Sequence, residues 1–246
     1  RSKATMKLLE ASRKITEAVQ PITVRGVCYR LFVAKLIDSM AVKNTQKISR
    51  LVSSREKNVM PWKWIVDESR QMERAPHWRD LAGYAESVEK PFRRDFWAHQ
   101  HCHVIVISEK ATVSGILRPV LDEYGVAFFP VHGFNSATKV HELAEQIAGD
   151  KRKTVLLYVG DFDPSVMFMS ERDFPTRPEN YGAGGFLLRR IALIKDDIDG
   201  LPSFEAKRTD PRFSWYVDKY GDHSWELEAM DPNDFRDRVR DEIQHY

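Results

Sequence analysis

The sequence predicts an α/β protein in which a helical N-terminal domain precedes a parallel sheet covered by helices. The first half contains three short amphipathic helical patterns, whereas the second half alternates β-branched runs with helical patterns. The charge also changes along the chain. Residues 1–95 contain 20 basic and 11 acidic residues (net +9), and residues 96–246 contain 18 and 25 (net −7). We therefore expect one domain over residues 1–95 and a second over residues 96–246.

Three helices are expected at the start of the first domain. Apolar residues recur at helical spacing from Ala4 to Val19. Thr23 is suited to cap a second helix, and Asn44 to cap a third that runs to about Lys57. An extended aromatic segment, Met60–Asp67, follows. Helices followed by a hairpin-like segment are typical of a winged-helix DNA-binding domain, although other small helical modules fit the same pattern.

The third helix carries the basic side chains that suit contacts to phosphates. They are Lys43, Lys47, Arg50, Arg55 and Lys57. A further helix beginning near Trp78 leads to a charged linker at Arg93–Asp95, which would end the domain.

The second domain is expected to contain three parallel strands with helices between them. The strands are His103–Ser108, Val126–Val131 and Thr154–Val159, and the helices lie at 111–124 and 137–148. Alternation of strand and helix indicates a parallel sheet covered by helices. Pro232–Ile243 is expected to form a late amphipathic helix.

Three carboxylates follow two of these strands. Glu109 follows the first strand, and Asp161 and Asp163 follow the third. Because the carboxyl ends of parallel strands meet at one edge of a sheet, these side chains should lie together. Clustered carboxylates favour a hard divalent ion such as Mg²⁺ or Mn²⁺, which suits phosphodiester chemistry. A D-x-D sequence after a strand is also compatible with a simple turn.

Here the segments VIVISEK and TVLLYVGDFDPS resemble the Toprim domain of type IA and type II topoisomerases, bacterial primases and some nucleases. The resemblance covers about residues 103–200 and implies that Glu109, Asp161 and Asp163 are metal ligands. Close relatives usually read Pro-Ser-Gly after the D-x-D, where this chain has Val166 in place of the glycine.

Residues 24–30, VRGVCYR, resemble the catalytic motif of the topoisomerase VI A subunit and the related meiotic break-forming transesterase. Compact Mini-A-like proteins are the closest form. The resemblance implies that Tyr29 is the nucleophile and that Arg25 holds the phosphate. It also implies a 5′-phosphotyrosyl product and a homodimer in which the tyrosine of one protomer meets the acidic site of the other. Gly26 and Cys28 replace the family's Asp and first Tyr.

The spacing of Arg25 and Tyr29 agrees with this chemistry, because positions i and i+4 share one face of a helix. The alternative is a buried core tyrosine, since Val27 and Leu31 provide apolar neighbours. Glu226 and Glu228 are candidates for an additional metal ligand, although an ordinary transition from strand to loop is the favoured interpretation.

We therefore expect a type IIB topoisomerase-like isomerase that cleaves double-stranded DNA, with Arg30, Lys47, Arg50 and Lys110 contacting the DNA. Two alternatives remain open: a Toprim-type nuclease that uses water, and a catalytically decayed DNA-binding protein. The sequence has no G-x-x-x-x-G-K-[ST] phosphate loop. Strand passage would therefore need a separate ATPase B-like subunit.

Composition gives an expectation about location. The chain has two cysteines, and no apolar run approaches the roughly 20 residues of a membrane helix. The first ten residues do not have the apolar core of a signal peptide. We expect a cytoplasmic, nucleoid-associated protein with no membrane contact.

Overall fold

The chain folds as a mixed α/β protein with a four-stranded parallel sheet flanked by helices, which confirms the fold class in this coarse form. The computed structural model describes residues 3–52, 60–66, 77–89, 97–131 and 137–246. The predicted boundary between residues 95 and 96, the linker Arg93–Asp95 and the basic residues Arg55 and Lys57 lie outside the described residues. The division into two domains stays a prediction.

Three helices form the N-terminal part, and the first two agree with the sequence prediction. They are α1 (Lys3–Val19), α2 (Val24–Val33) and α3 (Val42–Val52). Thr23 caps α2, and its hydroxyl accepts a hydrogen bond of 3.0 Å from the backbone N–H of Gly26. The apolar faces of the three helices share one core with Ile22, Trp64 and Ile65.

Two details of the first domain differ from the prediction. The third helix begins at Val42 rather than after Asn44, because the Asn44 side-chain amide donates to Asp38 at 2.6 Å instead of capping the helix. Within Met60–Asp67, a turn of 3-10 helix (Trp62–Trp64) replaces the expected extended segment. Pro61 favours this turn, since its fixed φ suits a helix start and its carbonyl accepts from the N–H of Trp64.

The sheet contains the three predicted strands and a fourth that the sequence did not reveal. They are β1 (Cys102–Ser108), β2 (Ala127–Pro130), β3 (Lys153–Val159) and β4 (Leu187–Ala192), in the order β2-β1-β3-β4. All neighbouring pairs are parallel, and Ser108 at the end of β1 pairs with Val159 at the end of β3. The strands preceding Glu109 and Asp161 are therefore direct neighbours.

Helices cover both faces of the sheet. They are α5 (Val113–Tyr124), α6 (Ala137–Gly149), α7 (Pro164–Phe168), α8 (Phe213–Tyr220) and α9 (Pro232–Gln244). The helix α4 (Leu81–Glu89) precedes the sheet and buries no residue. Alternate residues of β1 point to opposite cores: Val104 and Val106 pack with α5 and α9, whereas Ile105 and Ile107 pack with α6. A small antiparallel pair, β5 (Phe204–Glu205) and β6 (His223–Ser224), lies outside the main sheet.

A buried arginine joins the N-terminal helices to the sheet region. Arg236 of α9 is 7% exposed, and its guanidinium donates to the carbonyls of Val19 at 2.8 Å and Ile116 at 3.2 Å. These carbonyls belong to α1 and α5. The same packing holds α2 against the 3-10 turn Leu227–Ala229 that precedes α9.

Candidate functional site

The three predicted carboxylates lie at one edge of the sheet. Glu109 follows β1 directly, and Asp161 and Asp163 follow the adjacent end of β3. Burial, and then the charges of Asp163 and Asp161, raise the pKa of Glu109. Burial likewise raises the pKa of Asp163. The structure therefore brings together the acidic residues that the sequence singled out.

Asp161 is already held by two partners from distant parts of the chain. Its Oδ1 accepts a hydrogen bond of 2.8 Å from the backbone N–H of Leu227. Its Oδ2 is 2.7 Å from the Nζ of Lys110, which is also 3.1 Å from Glu228. Burial by itself lowers the pKa of Lys110, but the charges of Asp161 and Glu228 outweigh it and raise that pKa.

Asp163 has a different role in the local structure. It caps α7, and its Oδ1 accepts from the N–H of Val166 at 2.8 Å. Val166 is 1% exposed and packs against Gly160, where an added Cβ would lie 2.8 Å from the Val166 side chain. The departure from Pro-Ser-Gly is thus accommodated by a glycine on the other side of the D-x-D sequence, and the turn is a regular helix start.

A pocket of about 340 Å³ opens beside these aspartates. Its wall includes five carboxylates and one ammonium group, so it is strongly acidic. The charged residues are Asp161, Asp163, Glu205, Asp210, Glu226 and Lys207. Phe204 and Trp225 add aromatic surface.

The carboxylate oxygens suit Mg²⁺ or Mn²⁺, because both are hard ions that prefer oxygen ligands. Within the described part of the chain, however, no three His, Cys, Asp or Glu side chains meet in an arrangement that could hold a metal ion. The ammonium of Lys110, 2.7 Å from Asp161, compensates the charge of that carboxylate. Glu109 and the second oxygen of Asp163 fit a divalent ion chemically.

Arg25 and Tyr29 share one face of α2, as their spacing predicts. The Arg25 guanidinium lies 5.9 Å from the centre of the Tyr29 ring. Arg25 donates through Nε and Nη2 to the two carboxylate oxygens of Glu226. Glu226 lines the acidic pocket, so α2 contacts the same site as Asp161.

Tyr29 is fully buried, with 0% of its surface exposed. Its ring packs edge-on against Phe204 at a centroid distance of 6.2 Å. Among the described residues its hydroxyl has no hydrogen-bond partner of regular geometry. Burial, and then the negative charge of Glu226, raise the pKa of the phenol, which disfavours the phenolate. The nucleophile predicted from the sequence is therefore covered, and it lies beside the acidic pocket of its own chain.

Packing explains the two departures from the tyrosine motif. A Cβ on Gly26 would lie 2.7 Å from the Ile22 side chain, so the family's Asp has no room here. Cys28 is 1% exposed and belongs to the core of the N-terminal helices. Burial raises the pKa of its thiol to about 11.

The residues predicted to contact DNA fall into two groups. Lys47 and Arg50 are exposed on α3, opposite its buried Ile48. Arg30 and Lys110 are engaged within the protein. Arg30 donates to the carbonyl of Ala229 and lies 3.3 Å from Asp231. A DNA contact by Arg30 would require its release from these partners. The DNA contacts of all four basic residues stay predictions.

Sequence reasoning missed the contribution of Glu226 and Glu228. These residues hold Arg25 and Lys110, respectively, from the segment WELEAMDP. The only signal was two glutamates spaced two apart, which an ordinary loop also shows.

No protein-family model matches the chain, and neither does any curated protein. The relation to the topoisomerase VI A family therefore stays a prediction that depends on the motifs. None of the described helices has the length and apolar character that crossing a membrane requires.

Proposed function

We propose that this protein is a topoisomerase VI A-like DNA transesterase, with a winged-helix-like N-terminal region and a Toprim-type acidic site. One observation supports this best: Arg25 and Tyr29 contact Glu226 and Phe204, which line the same pocket as Asp161 and Asp163. A candidate nucleophile, a phosphate-binding cation and a cluster of carboxylates therefore lie at one site.

The proposed reaction exchanges the bond from phosphorus to the 3′ oxygen of DNA for a bond from phosphorus to the Tyr29 oxygen. The Tyr29 oxygen bonds to phosphorus, the bond from phosphorus to the 3′ oxygen breaks, and that oxygen leaves with a proton from water. The phenol proton passes to the Glu226 carboxylate, whose charge acts on Tyr29. The product is a 5′-phosphotyrosyl link, and the reverse steps reseal the DNA.

Arg25 would hold the scissile phosphate. In the structure its Nε and Nη2 donate to the two carboxylate oxygens of Glu226, and a phosphate presents two oxygens in a similar geometry. Glu109, Asp161 and Asp163 form the acidic site that would hold Mg²⁺ or Mn²⁺. When bound, such an ion stabilises charge on the phosphate and on the departing oxygen. Substrate entry requires that α2 separate from Phe204 and Glu226, since Tyr29 is covered.

The partners follow from this proposal. Exposed Lys47 and Arg50 would contact the phosphates of double-stranded DNA. Cleavage of both strands needs two sites and hence a homodimer. Tyr29 lies beside the acidic pocket of its own chain, which differs from the exchange between protomers that the family resemblance implies. Strand passage would need a separate ATPase B-like subunit.

A hydrolytic Toprim-type nuclease is the second candidate. The complete burial of Tyr29 favours it, because water reaches the acidic pocket but does not reach the phenol of Tyr29. In that case Tyr29 is a core residue, and the DNA ends carry no protein.

The test is a cleavage assay on supercoiled plasmid with Mg²⁺ or Mn²⁺, stopped with SDS and analysed with and without proteinase K. We expect protein on the 5′ ends, lost in Tyr29→Phe. Tyr158→Phe is the matched control, since Tyr158 is equally buried and its hydroxyl contacts the sulfur of Met169.

Each other outcome of this assay selects an alternative. Cleavage that persists in Tyr29→Phe with free ends, but vanishes in Asp161→Ala, identifies the nuclease. Intact DNA with both metals would reject both enzymes and leave a DNA-binding protein.

A further inference from the structure

Lys110 is the one side chain among those described that forms ion pairs with two carboxylates at the strand edge. Its Nζ lies 2.7 Å from Asp161 and 3.1 Å from Glu228, whose side chains are 10% and 7% exposed. Glu228 reaches this position from the 3-10 turn before α9 and faces away from bulk water. The ammonium is thus enclosed by two buried anions.

The carboxylate oxygens of Asp161 are both occupied. Lys110 contacts Oδ2, and the backbone N–H of Leu227 donates to Oδ1. Glu109 forms no ion pair within the described part of the chain, and the charge of Lys110 acts on it more weakly than the like charges of Asp163 and Asp161. Lys110 therefore forms a direct ion pair with Asp161, whereas it acts on Glu109 and Asp163 only through its charge at longer range.

We propose, in a step that rests on the proposed function, that Lys110 is a fixed cation of the acidic site. With Asp161 and Glu228 as its anchors, it takes the place that a second divalent ion would occupy. The site then binds one divalent ion, held by Glu109 and Asp163. Lys110 is a positioning residue: its ion pair with Asp161 fixes the orientation of that carboxylate.

The geometry favours a permanent role for this lysine over a loose surface contact. Breaking a buried ion pair leaves an uncompensated charge, which is far more costly than breaking an exposed pair. An ammonium is also a compact point charge, and it can satisfy two anions at once. A divalent ion that displaced Lys110 would have to expel it from both carboxylates.

The experiment counts bound Mn²⁺ on the full chain without DNA, by calorimetric titration and by the electron paramagnetic resonance signal of free Mn²⁺. We expect one ion on the wild-type protein and on Lys110→Arg. Lys110→Met should bind a second ion, because Asp161 and Glu228 become free ligands. Mn²⁺ should also raise the melting temperature of Lys110→Met more than that of the wild type, since the ion replaces the lost ammonium.

Two further variants separate a local effect from a general change in charge or folding. Lys207→Met removes an ammonium from the pocket wall, and it should still bind one ion with an affinity within threefold of wild type. Arg189→Met should do the same, because Arg189 pairs with Glu242 and does not line the pocket. A tenfold change of Mn²⁺ affinity in Lys207→Met would overturn the proposal, because the effect would then follow from the overall charge of the pocket.

Other results would also overturn it: two ions or none on the wild-type protein, or an unchanged count in folded Lys110→Met. Since the titration contains no DNA, it does not depend on the chemistry of Tyr29. If Tyr29→Phe cleaves normally while the ion counts are as expected, the transesterase proposal fails and the role of Lys110 stands. If the numbers of bound Mn²⁺ ions differ from those expected while cleavage leaves protein on the 5′ ends, the role proposed for Lys110 fails and the transesterase proposal stands.

Discussion

Among the described residues, Arg25 and Lys110 form ion pairs with carboxylates of the acidic site, and they differ in how far water reaches these pairs. The side chains of Arg25 and Glu226 are 48% and 23% exposed. Those of Lys110, Asp161 and Glu228 are 29%, 10% and 7% exposed. An exposed pair contributes little to stability and exchanges its partner readily, whereas a buried pair is costly to break. The comparison indicates that the Arg25–Glu226 pair opens at low cost, as the proposed phosphate contact requires, and that Lys110 is a fixed part of the fold.

Each pair also spans a long distance along the chain. Arg25 and Glu226 are 201 residues apart, and Lys110 and Glu228 are 118 residues apart. Both glutamates belong to the segment just before α9. That segment therefore joins the tyrosine helix to the carboxylate edge, and a movement there would affect both.

The largest expected effect is on cleavage in Arg25→Ala. If Arg25 holds the scissile phosphate, the cleavage rate should fall by about 100-fold or more, as for loss of one donor to a transition-state oxygen. The free energy of unfolding should change by less than about 1 kcal/mol, because the pair is half exposed. Plasmid cleavage and thermal melting measure the two quantities.

Arg189→Ala provides the matched control. Arg189 pairs with Glu242 at 2.9 Å, and the two side chains are 47% and 20% exposed, close to the values for Arg25 and Glu226. It should lose a similar, small amount of stability and keep full cleavage. Equal rates in the two variants would show that Arg25 has only a structural role.

A smaller effect is expected on DNA affinity in Glu226→Gln. Loss of the carboxylate charge frees Arg25 for a phosphate, so affinity without metal should rise by about three- to tenfold, as for one added phosphate contact. Fluorescence anisotropy with labelled duplex in EDTA measures this. Cleavage should nevertheless fall, because Glu226 is the proposed proton acceptor.

The double variant Arg25→Ala/Glu226→Gln tests whether the increase in DNA affinity caused by Glu226→Gln depends on Arg25. The two changes should not add, since the gain from Glu226→Gln needs the guanidinium. A gain of the same size in the double variant would mean that Glu226 acts only through its overall negative charge.

Much of the sheet could be predicted from the sequence, for a clear physical reason. β1 and β3 are buried on both faces, so they appear as continuous β-branched or apolar runs that end at Glu109 and just before Asp161. The rule that the carboxyl ends of parallel strands meet at one edge then predicted that the carboxylates following these strands lie at that edge. The spacing of Arg25 and Tyr29 likewise gave their shared helix face.

The elements that were missed lack such a local signal. β4 contains Arg189 and Arg190, so it is not an apolar run, and Arg190 is used internally to donate to the carbonyl of Gly160 at 3.0 Å. The burial of Tyr29 depends on Phe204, which is far away in sequence. The contacts of Glu226 and Glu228 similarly depend on tertiary packing, which residue spacing does not reveal.

The smallest expected effect is a pH dependence of stability that comes from Glu109, which forms no ion pair with Lys110 in the described part of the chain. Burial, and then the charges of Asp163 and Asp161, raise the pKa of Glu109 above its value in the unfolded chain, about 4.3. The folded state therefore binds this proton more tightly than the unfolded state. The stabilisation is present in full below the unfolded pKa and is lost as the pH rises through the folded pKa.

Comparison with Glu109→Gln isolates this contribution, because other titrating groups cancel in the difference. In EDTA, the free energy of unfolding of the wild type, relative to that of Glu109→Gln, should decrease as the pH rises from about 4 to 8. Urea unfolding at each pH measures it. Mn²⁺ should remove the decrease, since a divalent ion supplies to Glu109 the positive charge that Lys110 already supplies to Asp161. A difference that increases with pH would mean that the positive charge of Lys110 outweighs burial and the like charges at Glu109, and the contrast between Glu109 and Asp161 would not hold.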